Sequence, residues 1–230
     1  MLRKLQNYPR AFHTLRHVRV LTRYYLGLTY DPNYTYVRHL PAGCTILDVG
    51  ANAGQSALEF ARLRPDAKVV SFEANPDNLS NLALVRRVLG QRYAYHHVAL
   101  SDQCGSGRLY VPMVGNTPVP GEASLQPELF GEFSKVVDYP VPLRTLDSFE
   151  LAPHFVKIDV QGAELAVLRG MARTLERCRP TLLIEPGADF EELRQFLETA
   201  GYSLYAYDVS GDRMLNLNAS IGDFFAMPRK

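Results

Sequence analysis

Apolar positions follow two different periods along this chain, and the change of period divides it. Phe12, Leu15, Val18, Leu21, Tyr25 and Leu28 recur every three or four residues, with Arg16, Arg19 and Arg23 on another face. That spacing predicts an amphipathic helix. Asp31-Pro32 breaks it, and Pro41-Ala42-Gly43 punctuates again. Residues 1–40 therefore read as a basic helical arm and residues 41–230 as the main domain. After residue 44, short apolar runs alternate with helical patterns. Strands are predicted at 45–49, 68–72 and 93–100, and helices at 55–63 and from Pro76 onward, where Asn75 is placed to cap. The alternation lapses between 101 and 150. There 108–111 and 137–143 read as strand pieces around a Gly- and Pro-rich stretch, 112–134. Such a stretch is either a loop over a pocket or an irregular β-extension. The alternation then resumes, with strands at 155–160, 181–184 and 202–207 and helices at 163–175 and 189–200. Residues 213–217 are placed to pair antiparallel with 202–207. Strands separated by helices of this length predict right-handed βαβ units, a doubly wound α/β sheet.

Composition adds boundaries. With 47% hydrophobic and 21% charged residues, 230 residues build one domain with an extra arm rather than a disordered chain. No apolar run approaches the roughly 18 residues that span a bilayer. The first 23 residues are interrupted by Arg and His, so they lack a signal-peptide core, which predicts a cytoplasmic protein. Cys44, Cys104 and Cys178 show no paired spacing, so a disulfide framework and a cysteine zinc site are both unsupported. Net charge is +1, but residues 1–40 hold seven basic residues against Asp31 alone, a net of +6, leaving −5 for the rest. The acidic body argues against a nucleic-acid partner. The basic arm fits either a helix docked on the body or peripheral contact with a membrane surface.

The candidate chemistry sits at predicted strand ends. Asp48-Val49-Gly50-Ala51-Asn52-Ala53-Gly54-Gln55-Ser56 occupies the first strand-to-helix turn, where glycines permit close approach of a ligand. The spacing lacks the middle glycine of a pyrophosphate cradle, and Asp48 suits a cationic amino group. Glu73 ends the second strand, 23 positions after Gly50, where an acid accepts hydrogen bonds from ribose hydroxyls. Ser101-Asp102 follows the third strand and reads as adenine contact or plain turn. Lys157 and Asp159 project from one face near the end of the fourth strand. Charges inside a strand are costly unless paired, so they form a structural or a functional pair. Glu185 brings a second carboxylate to the same rim. His96 and His97 point to opposite faces of the third strand, and His154 lies at the far end of the fourth; none joins the catalytic set.

Together these pieces resemble the FkbM-type S-adenosylmethionine-dependent methyltransferases. The matching stretches are 47–54, 72–76, 98–102, 144–148, 157–164, 167–170 and 180 with 184–185. The resemblance implies the class I methyltransferase, Rossmann-like fold: a mostly parallel sheet with an antiparallel last strand. It also implies S-adenosyl-L-methionine as cofactor and a hydroxyl on a sugar, glycan or natural-product small molecule as acceptor. Carried over, Asp48, Gly50, Ala51, Asn52, Gly54 and Ser56 surround the methionine part. Glu73, Ala74 and Asn75 take the ribose, Ser101 and Asp102 the adenine, and Asp159 faces methyl transfer. One departure is Gln161, where the family often has Glu. Asp159 is the first candidate base and Glu185 the second, with Lys157 orienting Asp159 or lowering the hydroxyl pKa. Asp159 and Glu185 also admit a Mg²⁺ with substrate oxygens and water. Two other readings stand: a catalytically inactive cofactor-binding or interaction protein on the same scaffold, and an NAD-dependent dehydrogenase.

Overall fold

The computed structural model describes residues 18–115, 117–130, 135–187, 189–217 and 222–229. Residues 18–25 form helix α1, the described end of the arm. In chain order follow β1 (Thr45–Val49), α2 (Gln55–Leu63), β2 (Lys68–Glu73), α3 (Leu79–Leu89), β3 (Tyr93–His97), β4 (Ala99–Leu100), β5 (Gly105–Val114), β6 (Thr117–Pro118) and β7 (Val136–Arg144). The second half supplies β8 (Phe155–Ile158), α4 (Glu164–Arg169), α5 (Ala172–Cys178), β9 (Thr181–Ile184), α6 (Phe190–Thr199), β10 (Tyr202–Asp208), β11 (Arg213–Asn216) and β12 (Phe224–Pro228).

The main sheet runs β11-β10-β12-β9-β8-β1-β2-β3. Neighbours from β9 to β3 are parallel, while β12 is antiparallel to both β9 and β10. The last strand is thus reversed and inserted between β9 and β10, and the edge strand β11 is reversed as well. The sequence reading lacked β12, whose Phe224-Phe225-Ala226 is too short a run to declare a strand by period. The expected antiparallel pairing of 202–207 with 213–217 is present as β10 and β11. Strand faces alternate, so Leu47 and Val49 join one core layer with Val167, Leu168, Leu193 and Leu197. Ile46 joins the other, with Ala57, Phe60, Val85 and Phe155. Burial on both faces explains why β1, β8 and β9 are nearly continuous apolar runs. It also makes Asp48 and Lys157, register partners on adjacent strands, conspicuous exceptions.

Four predicted elements differ from the structure. The third strand breaks at Val98, whose N–H donates to the Glu73 carbonyl; Ala99 and Leu100 then pair with β7 in a second sheet. The strand pieces around 112–134 are longer than predicted and form the β5–β7 ribbon. The helix predicted over 163–175 is two, divided at Gly170-Met171, and glycine is required there because a Cβ at Gly170 would lie 2.0 Å from the Ser101 carbonyl oxygen. Asp147 starts the second by accepting from Arg173 N, Thr174 N and Thr174 Oγ1. Finally, the arm helix ends before Gly27, which is left-handed at φ 67°, not at Pro32. Val20, Leu21 and Tyr24 pack on the body, whereas Val18, Tyr25 and Leu28 of the predicted apolar stripe are exposed. Phe12 and Leu15 lie outside the described residues. Tyr34 and Val37, on the turn of helix Pro32–His39, are buried in the same layer as α2.

Candidate active site

The carboxyl ends of β1, β2 and β8 meet at one rim, and the turns that leave them build a cleft of about 620 Å³ counted with its open mouth. Gly50 leaves β1 with φ 78°, and a Cβ there would sit 1.7 Å from the Asp159 carbonyl oxygen. Only glycine lets the β1 and β8 turns approach this closely. Asn52 (φ 51°) and Gly54 (φ 80°) continue the left-handed turn, and Gly54 packs against Val85 of α3.

Glu73 ties two of these turns together. Its Oε2 accepts from Asn52 N at 2.6 Å and its Oε1 from Asn75 N at 2.7 Å. The side chain is nearly enclosed yet lines the cavity. Burial pushes its carboxyl up to about 7, against the pull of the two backbone donors. The Asn78 side chain is a third donor to this carboxylate, which leaves acceptor capacity for a ligand hydroxyl.

Lys157 is the cation beneath this rim. Its Nζ donates to Gly50 O at 3.1 Å and to Asp159 Oδ2 at 2.8 Å, and stands 3.9 Å from Asp48 Oδ1. Burial opposes its charge, but Asp159 and Asp48 together hold its pKa above the ordinary lysine value. Burial alone would raise the Asp159 carboxyl; the Lys157 ammonium reverses this and leaves it below its ordinary value. Gln161, at φ 53°, donates Nε2 to the other oxygen of Asp159 at 3.1 Å. Glu185 is exposed at the rim and hydrogen-bonded to Asp159; burial of its acid head and that neighbouring charge push it up to about 7.

The remaining residues singled out in the sequence divide by place. Gly50, Asn52, Glu73, Ala74 and Asp159 line the cavity. Asp48 does not: its oxygens are enclosed and accept from Ser56 Oγ at 2.8 Å and Ser71 Oγ at 3.1 Å. Asp48 and Ser56 thus brace the turn from below, as does buried Ala51. Asn75 accepts from Asp77 N through its side chain and caps the next turn. Ser101 donates to Asp102 at 3.2 Å, and both stand one step beyond the apolar wall of Val98, Ala99 and Leu100. His96 stacks on Phe72, and His97 contacts the Ala74 carbonyl. His154 sits at the opposite end of β8, accepting from Thr45 N.

Leu109, Pro120, Gly121, Ala123 and Leu125 also line the cavity, and no motif marked them. Leu109 belongs to β5, and the other four belong to the Gly- and Pro-rich stretch, which crosses the cavity as a strap. Its buried Ser124 donates Oγ to Gln161 O at 2.7 Å, and Gln126 donates Nε2 to Gly162 O at 2.8 Å. Among the described residues, no group of three or more His, Cys, Asp or Glu side chains is placed to hold a metal ion. Nor, among them, is any helix long and apolar enough to cross a membrane.

Residues 48–204 match the model of the methyltransferase FkbM domain. The chain is 28% identical over 214 residues to methyltransferase sdnD of Sordaria araneosa, covering 77% of this chain and 78% of that protein. It is 30% identical over 154 residues to 2-O-methyltransferase NoeI of Sinorhizobium fredii, covering 58% and 60%. In fold it is similar to the crystal structure of methyltransferase FkbM from Methylobacillus flagellatus, with TM-score 0.54 and 18% identity over 80% of this chain. The chain spans 43% of that structure's length.

Proposed function

The chain belongs to the FkbM methyltransferase family, and from that premise we propose that it methylates a hydroxyl oxygen on a small-molecule or glycan acceptor. The cavity suits S-adenosylmethionine on its own chemistry. Glu73 offers acceptor lone pairs at a nearly enclosed wall, Val98, Leu100 and Leu109 offer an apolar face, and Gly50 lines the cavity with bare backbone where the β1 turn meets the β8 turn. The single observation that carries this reading is Glu73. A carboxylate held by the N–H groups of Asn52 and Asn75 is pre-set to accept a vicinal diol.

Bound there, the cofactor supplies an activated methyl group on a sulfonium. Gly50, Asn52, Glu73 and Ala74 hold it, with Asp48, Ala51, Gly54, Ser56 and Asn75 fixing the turns that do so. Ser101 and Asp102 close the adenine end. Asp159, kept ionised by Lys157, faces the cavity and complements the cofactor's positive charge. The chain's main work is alignment and exclusion of water under the strap. The hydroxyl proton leaves to a carboxylate of the Asp159–Glu185 pair. A 2-O-methyltransferase among the relatives supports oxygen as the acceptor atom.

Calorimetric titration with S-adenosylmethionine and S-adenosylhomocysteine, with NAD as control, tests this. Saturable binding of the sulfur compounds alone is expected; binding of NAD alone would return the dehydrogenase reading. A second reading concerns the arm. Val18, Tyr25, Leu26 and Leu28 are exposed beside Arg19, a surface that suits anionic lipid. Flotation with phosphatidylserine vesicles showing no retained protein would remove it.

A further inference from the structure

The cofactor cavity has a neighbour that shares a lining residue with it. A second cavity, about 730 Å³ with its open mouth, adjoins it at Gln161, which lines both. Glu164, Glu185 and Asp189 line it together with Leu129, Leu165 and Leu193, and among the described residues no Lys, Arg or His does. Leu129 comes from the strap, which Gln126 pins to Gly162.

The two acids of the rim are divided between the two spaces. Asp159 lines the first cavity and Glu185 the second, and they share a hydrogen bond. Both oxygens of Asp159 already accept, one from Lys157 and one from Gln161. An acid so saturated with donors is a poor proton acceptor.

We propose that the second cavity is the acceptor site, that Glu185 takes the hydroxyl proton there, and that the site selects uncharged or cationic polyols over phosphorylated or carboxylated ones. This rests on the O-methyltransferase reading above. The step balances simply. The acceptor O–H bond breaks and its proton moves to the Glu185 carboxylate. The electron pair left on oxygen forms the new C–O bond. The C–S bond breaks and its pair leaves on sulfur, giving a neutral thioether. Asp159 is then a positioning residue, holding Glu185 where the two cavities adjoin at Gln161. A Glu185 carboxyl near 7 suits a base working at neutral pH. Three acidic side chains, with no basic one among the described lining residues, disfavour an anionic acceptor.

The test uses the full chain saturated with S-adenosylhomocysteine. Failure of that compound to bind overturns the methyltransferase reading and this proposal with it. Where it binds, saturation-transfer NMR compares methyl α-glucopyranoside, methyl α-glucosaminide and glucose 6-phosphate. Both glycosides are expected to bind, the amino sugar at least about tenfold tighter than the phosphate. Asp189→Asn, at the mouth, is expected to narrow that ratio several-fold. Equal or tighter binding of the phosphate, or no saturable binding of either glycoside, overturns the acceptor assignment alone. For Glu185, carboxyl-detected NMR is expected to find a group titrating near 7 that Glu185→Gln removes. Glu185→Gln should leave S-adenosylhomocysteine affinity within about twofold, whereas Asp159→Asn should weaken it about tenfold. The reverse ranking overturns the division of roles.

Discussion

Gly50→Ala is the sharpest test of how the site is built, because two costs fall on one atom. The residue is left-handed, and the added Cβ would stand 1.7 Å from Asp159 O and 2.8 Å from Asp159 C. A relaxed carbon–oxygen contact needs about 3.3 Å, so the β1 and β8 turns must part by roughly 1.5 Å. That displacement strains the Asp159 N–H bond to Val49 O and the Lys157 bond to Gly50 O. The left-handed conformation costs about 1–2 kcal/mol. Overpacking adds about 1–3 kcal/mol. At about 2–4 °C per kcal/mol for a chain of this size, Tm should fall roughly 5–15 °C. Two other glycines separate the costs. Gly43 is left-handed with nothing within 4 Å of a Cβ, and Gly105 has neither burden. Calorimetric scans should therefore rank Gly105→Ala nearest wild type, then Gly43→Ala, then Gly50→Ala. Gly50→Ala should also lose at least about tenfold in S-adenosylhomocysteine affinity, about 1.4 kcal/mol. A Gly50→Ala protein no less stable than Gly43→Ala, with unchanged affinity, would refute the close approach of the two turns.

Three further outcomes follow from the same geometry. Lys157→Met leaves Asp48 and Asp159 without their shared cation, and should cost about 3–5 kcal/mol in denaturant unfolding; adding Asp48→Asn should recover part of it. Glu73 accepts ligand hydroxyls best when ionised, so cofactor affinity should weaken as pH falls through about 7, with Glu73→Gln flattening the profile. Because its folded pKa is raised, Glu73 stabilises the empty protein below the ordinary carboxylate range and loses that contribution as pH rises through about 7. Ser124→Ala removes the strap's bond to Gln161, and stopped-flow release of S-adenosylhomocysteine should quicken several-fold with equilibrium unfolding changed by about 1–2 kcal/mol.

What the sequence made legible, and what it hid, follows from how far each signal travels along the chain. The β1 turn and Glu73 were readable because their chemistry is local: a strand end, a left-handed glycine, an acid at a fixed offset. The break at Gly170 was not, since what surrounds it is distant in sequence: the Ser101 carbonyl packs against Gly170 from 69 positions away, and Asp147 caps the helix that follows. Strand β12 was missed for a similar reason. Three buried residues between two partners need no periodicity of their own, because β9 and β10 supply the register.

The family motifs themselves prove mixed in kind. Asp48 reads in the sequence as a ligand contact, yet its carboxylate is enclosed and spent on Ser56, Ser71 and Lys157. Asp147 lies in one of the matching stretches, and it starts α5. A buried acid on a sheet face must be paired, and a helix start must be capped, whatever the reaction above it. Motif membership therefore marks residues that the rim needs in order to exist as well as those that meet the ligand. Lys157 joins the two classes. It ties the Gly50 carbonyl, the buried Asp48 and the cavity-lining Asp159 to one ammonium, so the turn that cradles the cofactor and the acid beside it share a support. Strain applied at either place must reach the other, which is why a methyl group at Gly50 should be felt in ligand affinity as well as in stability.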